Sequence, residues 1–82
     1  MITDFELRNH KLVMGDGIAI TNMKGEETFG RFNSQYENGM TSFSFENDSN
    51  GKTEEIVLAS LQSLRITFRV SRPNIIDNKK NI

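Results

Sequence analysis

Apolar and polar residues alternate in five separate stretches of this chain, and turn residues bound each stretch. A period of two is the signature of a strand with one buried face. The first stretch, about Ile18–Met23, runs into Lys24-Gly25, a hairpin signal. The second, about Thr28–Tyr36, contains Gly30, and a glycine inside a strand marks a sharp bend or a close backbone approach. Glu37-Asn38-Gly39 turns the chain again. The third, about Met40–Glu46, is predicted to point Thr41, Phe43 and Phe45 inward and Ser42 and Ser44 outward. The polar run Asn47-Asp48-Ser49-Asn50-Gly51-Lys52 reads as a loop tip. The fourth stretch is about Glu54–Ala59, followed by one tight turn at Ser60-Leu61-Gln62-Ser63. In the fifth, Leu64, Ile66, Phe68 and Val70 alternate with Arg65, Thr67 and Arg69, and Arg72-Pro73 ends it because proline cannot donate to a ladder.

Ahead of these strands, Thr3-Asp4-Phe5-Glu6 fits a capping box, with Thr3 as N-cap and Glu6 reaching back to its amide. This predicts a short helix to about Lys11, with Ile2, Phe5 and Leu12 on one side. Alternation of Phe5 and Leu7 supports a strand as the competing reading. Gly15-Asp16-Gly17 breaks whatever precedes it. The pattern predicts a mainly β fold: a small, strongly bent, five-stranded antiparallel barrel with a short N-terminal helix. The domain spans residues 1–72 and a flexible polar tail spans 73–82. The predicted core is Ile20, Phe32, Phe43, Phe45, Leu58, Ile66 and Phe68.

Composition narrows the function classes. The 82 residues suit one domain with a small core, and the absence of cysteine removes disulfide and thiolate chemistry. No apolar run is long enough to span a bilayer, and the N-terminus lacks the basic start and apolar stretch of a signal peptide, so a cytoplasmic location is expected. Charge is segregated. Residues 1–60 hold ten acids against five Lys/Arg, whereas residues 61–82 hold Arg65, Arg69, Arg72, Lys79 and Lys80 against Asp77. An acidic body with a basic end speaks to partners and not to fold.

The run from Ile18 to Phe32 resembles the first motif of Sm-like (Hfq-type) proteins, small barrels of the wider SH3-like kind. An alternating strand meets a turn glycine, a second glycine follows five residues later, and an apolar residue comes next; Ile18, Ile20, Gly25, Gly30 and Phe32 occupy those places. Ile56, Leu58, Leu61, Leu64 and Ile66 are similar to the family's last two strands joined by a tight turn. The resemblance covers roughly residues 3–70. It implies a barrel that assembles through its edge strands and, in the family, binds RNA. The chain departs from the family where Tyr36 replaces an acidic residue six places after the bent glycine. It departs again at Glu37-Asn38-Gly39-Met40-Thr41, the region of the base-cradling asparagine, and at Leu64-Arg65-Ile66, where the arginine is not followed by the glycine or histidine of the second motif.

Catalytic chemistry finds no constellation. His10, the only histidine, has no spaced partners. The neighbouring acids Glu26-Glu27 and Glu54-Glu55 point to opposite faces of a strand and form no acid–base dyad. Asp48-Ser49-Asn50-Gly51 lacks calcium-loop spacing, and Gly15-Asp16-Gly17 lacks the lysine of a phosphate loop. The expectation is a non-enzyme with no cofactor and no metal. Phe29 and Tyr36 fit the inward phase set by Gly30 and Phe32 less cleanly, Phe29 shares its outer face with Arg31, and Phe29, Arg31 and Tyr36 form the candidate recognition patch. Arg65, Arg69 and Arg72 form the candidate basic cluster for an acidic surface, with strand protection by charge as the competing role. The expected function is a binding module for a protein partner or for itself through strand edges. The alternatives are an Sm-like binder of RNA or single-stranded nucleic acid, and a small acidic inhibitor of the phage or mobile-element type. No membrane partner is expected.

Overall fold

The computed structural model describes residues 1–35 and 41–71. The predicted turn at Glu37-Asn38-Gly39, the residues Tyr36 and Arg72, and the tail 73–82 lie outside them. Helix α1 (Asp4–Asn9) leads into β1 (Gly17–Asn22), β2 (Glu27–Gln35), β3 (Ser42–Asn47), β4 (Thr53–Val57) and β5 (Leu61–Phe68), with a single 3-10 turn at Leu58–Ser60. The strands form one sheet in the order β4-β3-β2-β1-β5, and every pairing is antiparallel. Among the described residues, β4 and β5 are the two ends of this sheet and do not pair with each other.

The capping box forms as the sequence predicts. The Glu6 amide donates to Thr3 Oγ1 at 3.1 Å and the Thr3 amide donates to Glu6 Oε1 at 3.0 Å. That backbone bond, with the Thr3 hydroxyl second, holds the Glu6 carboxyl below its ordinary value. The helix side differs from expectation. Ile2 and Leu7 are buried in the core and Leu12 packs against that core, while Phe5 is 71% exposed. Lys11, at φ 53°, then takes the left-handed conformation just past the C-cap His10.

The core joins α1 to the inner face of the sheet. It comprises Ile2, Leu7, Ile18, Ile20, Phe32, Phe43, Phe45, Leu58, Leu61 and Leu64, with Ile56 and Ile66 half-buried at its margin. Phe43 is its centre, with ring centroids 5.7 Å from Phe32 and 6.4 Å from Phe45, the latter edge-on.

Two inward assignments are corrected. Thr41 is exposed, while Ser42 and Ser44, expected outward on solvent, are 3% and 4% exposed. They do point away from the aromatic core, but longer neighbours cover them. Ser42 Oγ donates to Glu55 Oε2 at 2.8 Å, and Asn33 Nδ2 donates to Ser44 Oγ at 3.0 Å.

Phe68 is the second correction: it is 44% exposed and outside the core. The cause is a bulge. Gly17 pairs with Phe68 but the next residue, Ile18, pairs with Ile66, so Thr67 is an extra residue that reverses the phase. A second irregularity, between the pairs Thr21–Ser63 and Asn22–Leu61, brings Leu61 to the same face as Leu64. Strand β5 therefore begins at Leu61, and the tight turn predicted at 60–63 is the 3-10 turn at Leu58–Ser60. Phe68→Ala is accordingly expected to cost about 1 kcal/mol, the scale of a cation–π contact with partial burial, and not the ~3–5 kcal/mol of a core phenylalanine. The shift of the urea midpoint measures it, and a core-sized loss would return Phe68 to the interior.

Candidate functional site: the outer face and the sheet edges

On the outer face, ladder register decides which side chains meet. Ala19 in β1 lies between Phe29 of β2 and Arg65 of β5, and Gly17 lies between Arg31 of β2 and Phe68 of β5. Both central residues are small, so the flanking side chains close over them. The Arg65 guanidinium carbon sits 5.5 Å from the Phe29 ring centroid, and that of Arg31 sits 4.7 Å from the Phe68 centroid. Each is a cation–π pair, reaching across β1. Gly17 is required for the second pair, because a Cβ there would run into the Phe68 ring.

The candidates Phe29, Arg31 and Arg65 thus share one face, and the structure adds Phe68 to them. Arg65 also bonds Glu27 Oε2 through Nε at 3.2 Å. Arg31 makes a long bond to the Gly15 carbonyl at 3.5 Å. Glu46 lies directly across the ladder from Arg31, yet the two form no ion pair. Both border a cleft of about 200 Å³, together with Met14, Asn33 and Thr53.

Arg69 is elsewhere. The Thr67 bulge turns it from the Arg65 face toward the end of α1, where Nη2 donates to the His10 carbonyl at 2.8 Å and Nη1 to the Lys11 carbonyl at 3.4 Å. Its guanidinium is also 3.9 Å from Asp16 Oδ2. Arg65 and Arg69 therefore do not form one cluster. Tyr36 and Arg72, the remaining candidates, lie outside the described residues.

Asp16 is the polar residue that the sequence pattern undervalues. It is fully buried. Its Oδ2 accepts from the Val13 amide and its Oδ1 from the Val70 amide, both at 3.0 Å. Its own carbonyl accepts from the Phe32 amide at 2.8 Å. One residue thereby ties the loop before β1 to β2 and to the chain beyond β5. Two other carboxylates have local duties: Glu26 accepts from Asn22 and Glu54 from Asn47. No group of three or more His, Asp or Glu side chains among the described residues is arranged to hold a metal ion. No helix among them is long and apolar enough to cross a membrane.

The edges offer a different kind of surface. Strand β4 carries Glu54 and Glu55 and ends at Val57, which is 47% exposed. Val57 also borders an apolar groove of about 200 Å³ with Met1, Ile2, Leu58 and Ala59. Strand β5, at the opposite end of the sheet, carries Arg65. Comparison with known protein families, curated proteins and solved structures finds no match.

Proposed function

We propose that this chain is a non-enzymatic binding module of the small, strongly bent β-barrel kind, similar to Sm-like proteins, and that it joins a protein partner, here a second copy of itself, through its strand edges. One observation carries the reading: the five-stranded sheet ends in β4 and β5, each with a single ladder neighbour among the described residues. The outer side of such a strand holds amide and carbonyl groups that another strand can pair. The two edges are also unlike in charge, with Glu54 and Glu55 on β4 and Arg65 on β5. That difference favours a head-to-tail contact, β4 of one copy on β5 of the next, over a contact of like edges. The apolar groove beside Val57 continues the β4 edge and gives such a contact hydrophobic area.

Sedimentation equilibrium tests this. Association is expected, and it should weaken as salt rises because the complementary charges are exposed. Glu55→Lys, which places like charge at the junction, should weaken association about tenfold; because Glu55 also accepts from the buried Ser42, circular dichroism is needed to show that the variant is folded. A monomer at every soluble concentration and at low salt would remove the self-pairing reading. Single-stranded nucleic acid is the second reading, favoured by the half-exposed Phe29 and Phe68 beside two arginines. Glu27 and Glu46 on the same face count against it.

A further inference from the structure

Beyond Phe68 the chain leaves the sheet, and contacts with α1 and with the loop before β1 decide where it goes. The Val70 amide donates to Asp16 Oδ1, and Arg69 donates to the His10 and Lys11 carbonyls at the end of α1. Val70 also packs over Gly15, with Cγ1 3.2 Å from where a Cβ on that glycine would stand. Edge pairing uses none of these contacts.

The two oxygens of the buried Asp16 carboxylate are held unequally. On the Oδ2 side the backbone closes on itself: Val13 donates to Oδ2, and the Asp16 amide donates back to the Val13 carbonyl at 3.1 Å. Strand β2 fixes the same loop, because the Gly15 amide donates to the Phe32 carbonyl and the Phe32 amide to the Asp16 carbonyl, both at 2.8 Å. Oδ2 is also the oxygen 3.9 Å from the Arg69 guanidinium. Oδ1 holds Val70, whose segment follows the last ladder pair of β5, Gly17–Phe68.

Protonation discriminates between the two sides. A carboxylate accepts at both oxygens, whereas the acid turns one of them into a donor. The Arg69 charge opposes a proton on Oδ2, which leaves Oδ1 as its place. The new O–H and the Val70 N–H are then two donors face to face. Asp16 is tied to Val13 and to β2, so the Val70 segment is the one that yields. The other charged or titratable groups about this site are His10 and Lys11 at the end of α1 and Arg31 of β2, which reaches the Gly15 carbonyl and has Glu46 of β3 across the ladder.

We propose that Asp16 is an acid-released latch: its carboxylate fastens the chain beyond β5 to the loop before β1, and protonation frees Val70 while the sheet stays paired. The segment it frees leads to the basic residues Arg72, Lys79 and Lys80. The latch belongs to the single chain and does not depend on edge pairing.

A pH titration of the full chain by nuclear magnetic resonance tests this. The chemical shift of the Asp16 carboxyl carbon reports the proton, and amide hydrogen exchange, corrected for its intrinsic pH dependence, reports the bonds. As that carbon titrates, protection of the Val70 amide is expected to fall about tenfold or more, while the Phe32 amide and those of β3 keep theirs. Asp16→Asn should show the same loss at neutral pH. Arg69→Gln should move the transition to higher pH, because a cation beside the carboxylate is gone. His10→Gln should leave it in place, since the latch uses only the His10 carbonyl. The proposal is overturned if Val70 protection is unchanged through the Asp16 titration, if β3 opens in the same step, or if the chain unfolds before Asp16 takes up its proton. Release of Val13 in place of Val70, a folded Asp16→Asn variant that keeps Val70 protected, or loss of the transition in His10→Gln would overturn it equally. Sedimentation at neutral pH reports self-association separately, so failure of the latch and failure of edge pairing are told apart.

Discussion

Asp16→Ala is expected to destabilise the protein by about 3–5 kcal/mol, a cost on the scale of breaking a buried charged interaction. Asp16 is fully inaccessible, and its two carboxylate oxygens accept from the amides of Val13 and Val70. Removing them takes the carboxylate acceptor from two part-buried amide donors, and a donor left unsatisfied costs up to about 1–3 kcal/mol. It also removes an anion beside Arg69, whose guanidinium already caps the carbonyls of His10 and Lys11. Asp16→Asn should recover only part of the loss. One oxygen becomes an NH2 group, which must then face a backbone amide that also donates. A domain of this size has total stability of only about 5–10 kcal/mol, so the alanine variant should show a large unfolded fraction at moderate temperature. Urea unfolding followed by circular dichroism reads the effect. A midpoint equal to that of the wild type would mean that the buried carboxylate contributes nothing net.

Why this residue escapes a sequence reading is clear from its partners. Gly15-Asp16-Gly17 has the local pattern of a turn, and turns are ordinarily exposed. Its burial depends on Val70, which lies 54 residues along the chain. No local pattern reports that contact. Phe68 fails for a related reason. Alternation through Leu64, Ile66 and Phe68 is real in the sequence, but the extra residue Thr67 shifts the phase, and nothing in Ile66-Thr67-Phe68 announces a bulge. The signal lay in β1 instead, where Gly17 has no side chain and leaves room for an aromatic ring above it.

What was legible had local causes. The capping box needs only Thr3 and Glu6, and it forms. The hairpin at Gly25 needs a positive φ, and the residue adopts 87°. The outward phase of Phe29 and Arg31 follows from strict alternation about Gly30, and both lie on the outer face. Their partners Arg65 and Phe68 come from β5, so the pairs themselves appear only once the ladder register is known. The elements were thus readable in large part, while the site was readable as single residues and not as a surface.

Gly30 is the position where sequence and structure agree on the residue and the structure supplies the reason. It pairs with Ile18 on one side and Asn47 on the other, inside the sheet. A Cβ there would collide with the Glu46 carbonyl oxygen and with the Phe45 ring. The ring is fully buried and packs edge-on against Phe43, so it has no free direction in which to yield. The carbonyl belongs to β3 and can yield only by distorting the ladder. Gly30→Ala should therefore cost about 3 kcal/mol, at the upper end of the overpacking range, and Gly30→Val more. Gly51→Ala is the control. Nothing lies within 4 Å of its would-be Cβ, and its φ of 70° exacts only the cost of a left-handed alanine, about 1 kcal/mol. Thermal and urea unfolding of the two alanine variants should separate them by several degrees. Equal losses at Gly30 and Gly51 would show that backbone conformation alone, and not the approach of β3 to β2, explains the glycine inside the strand.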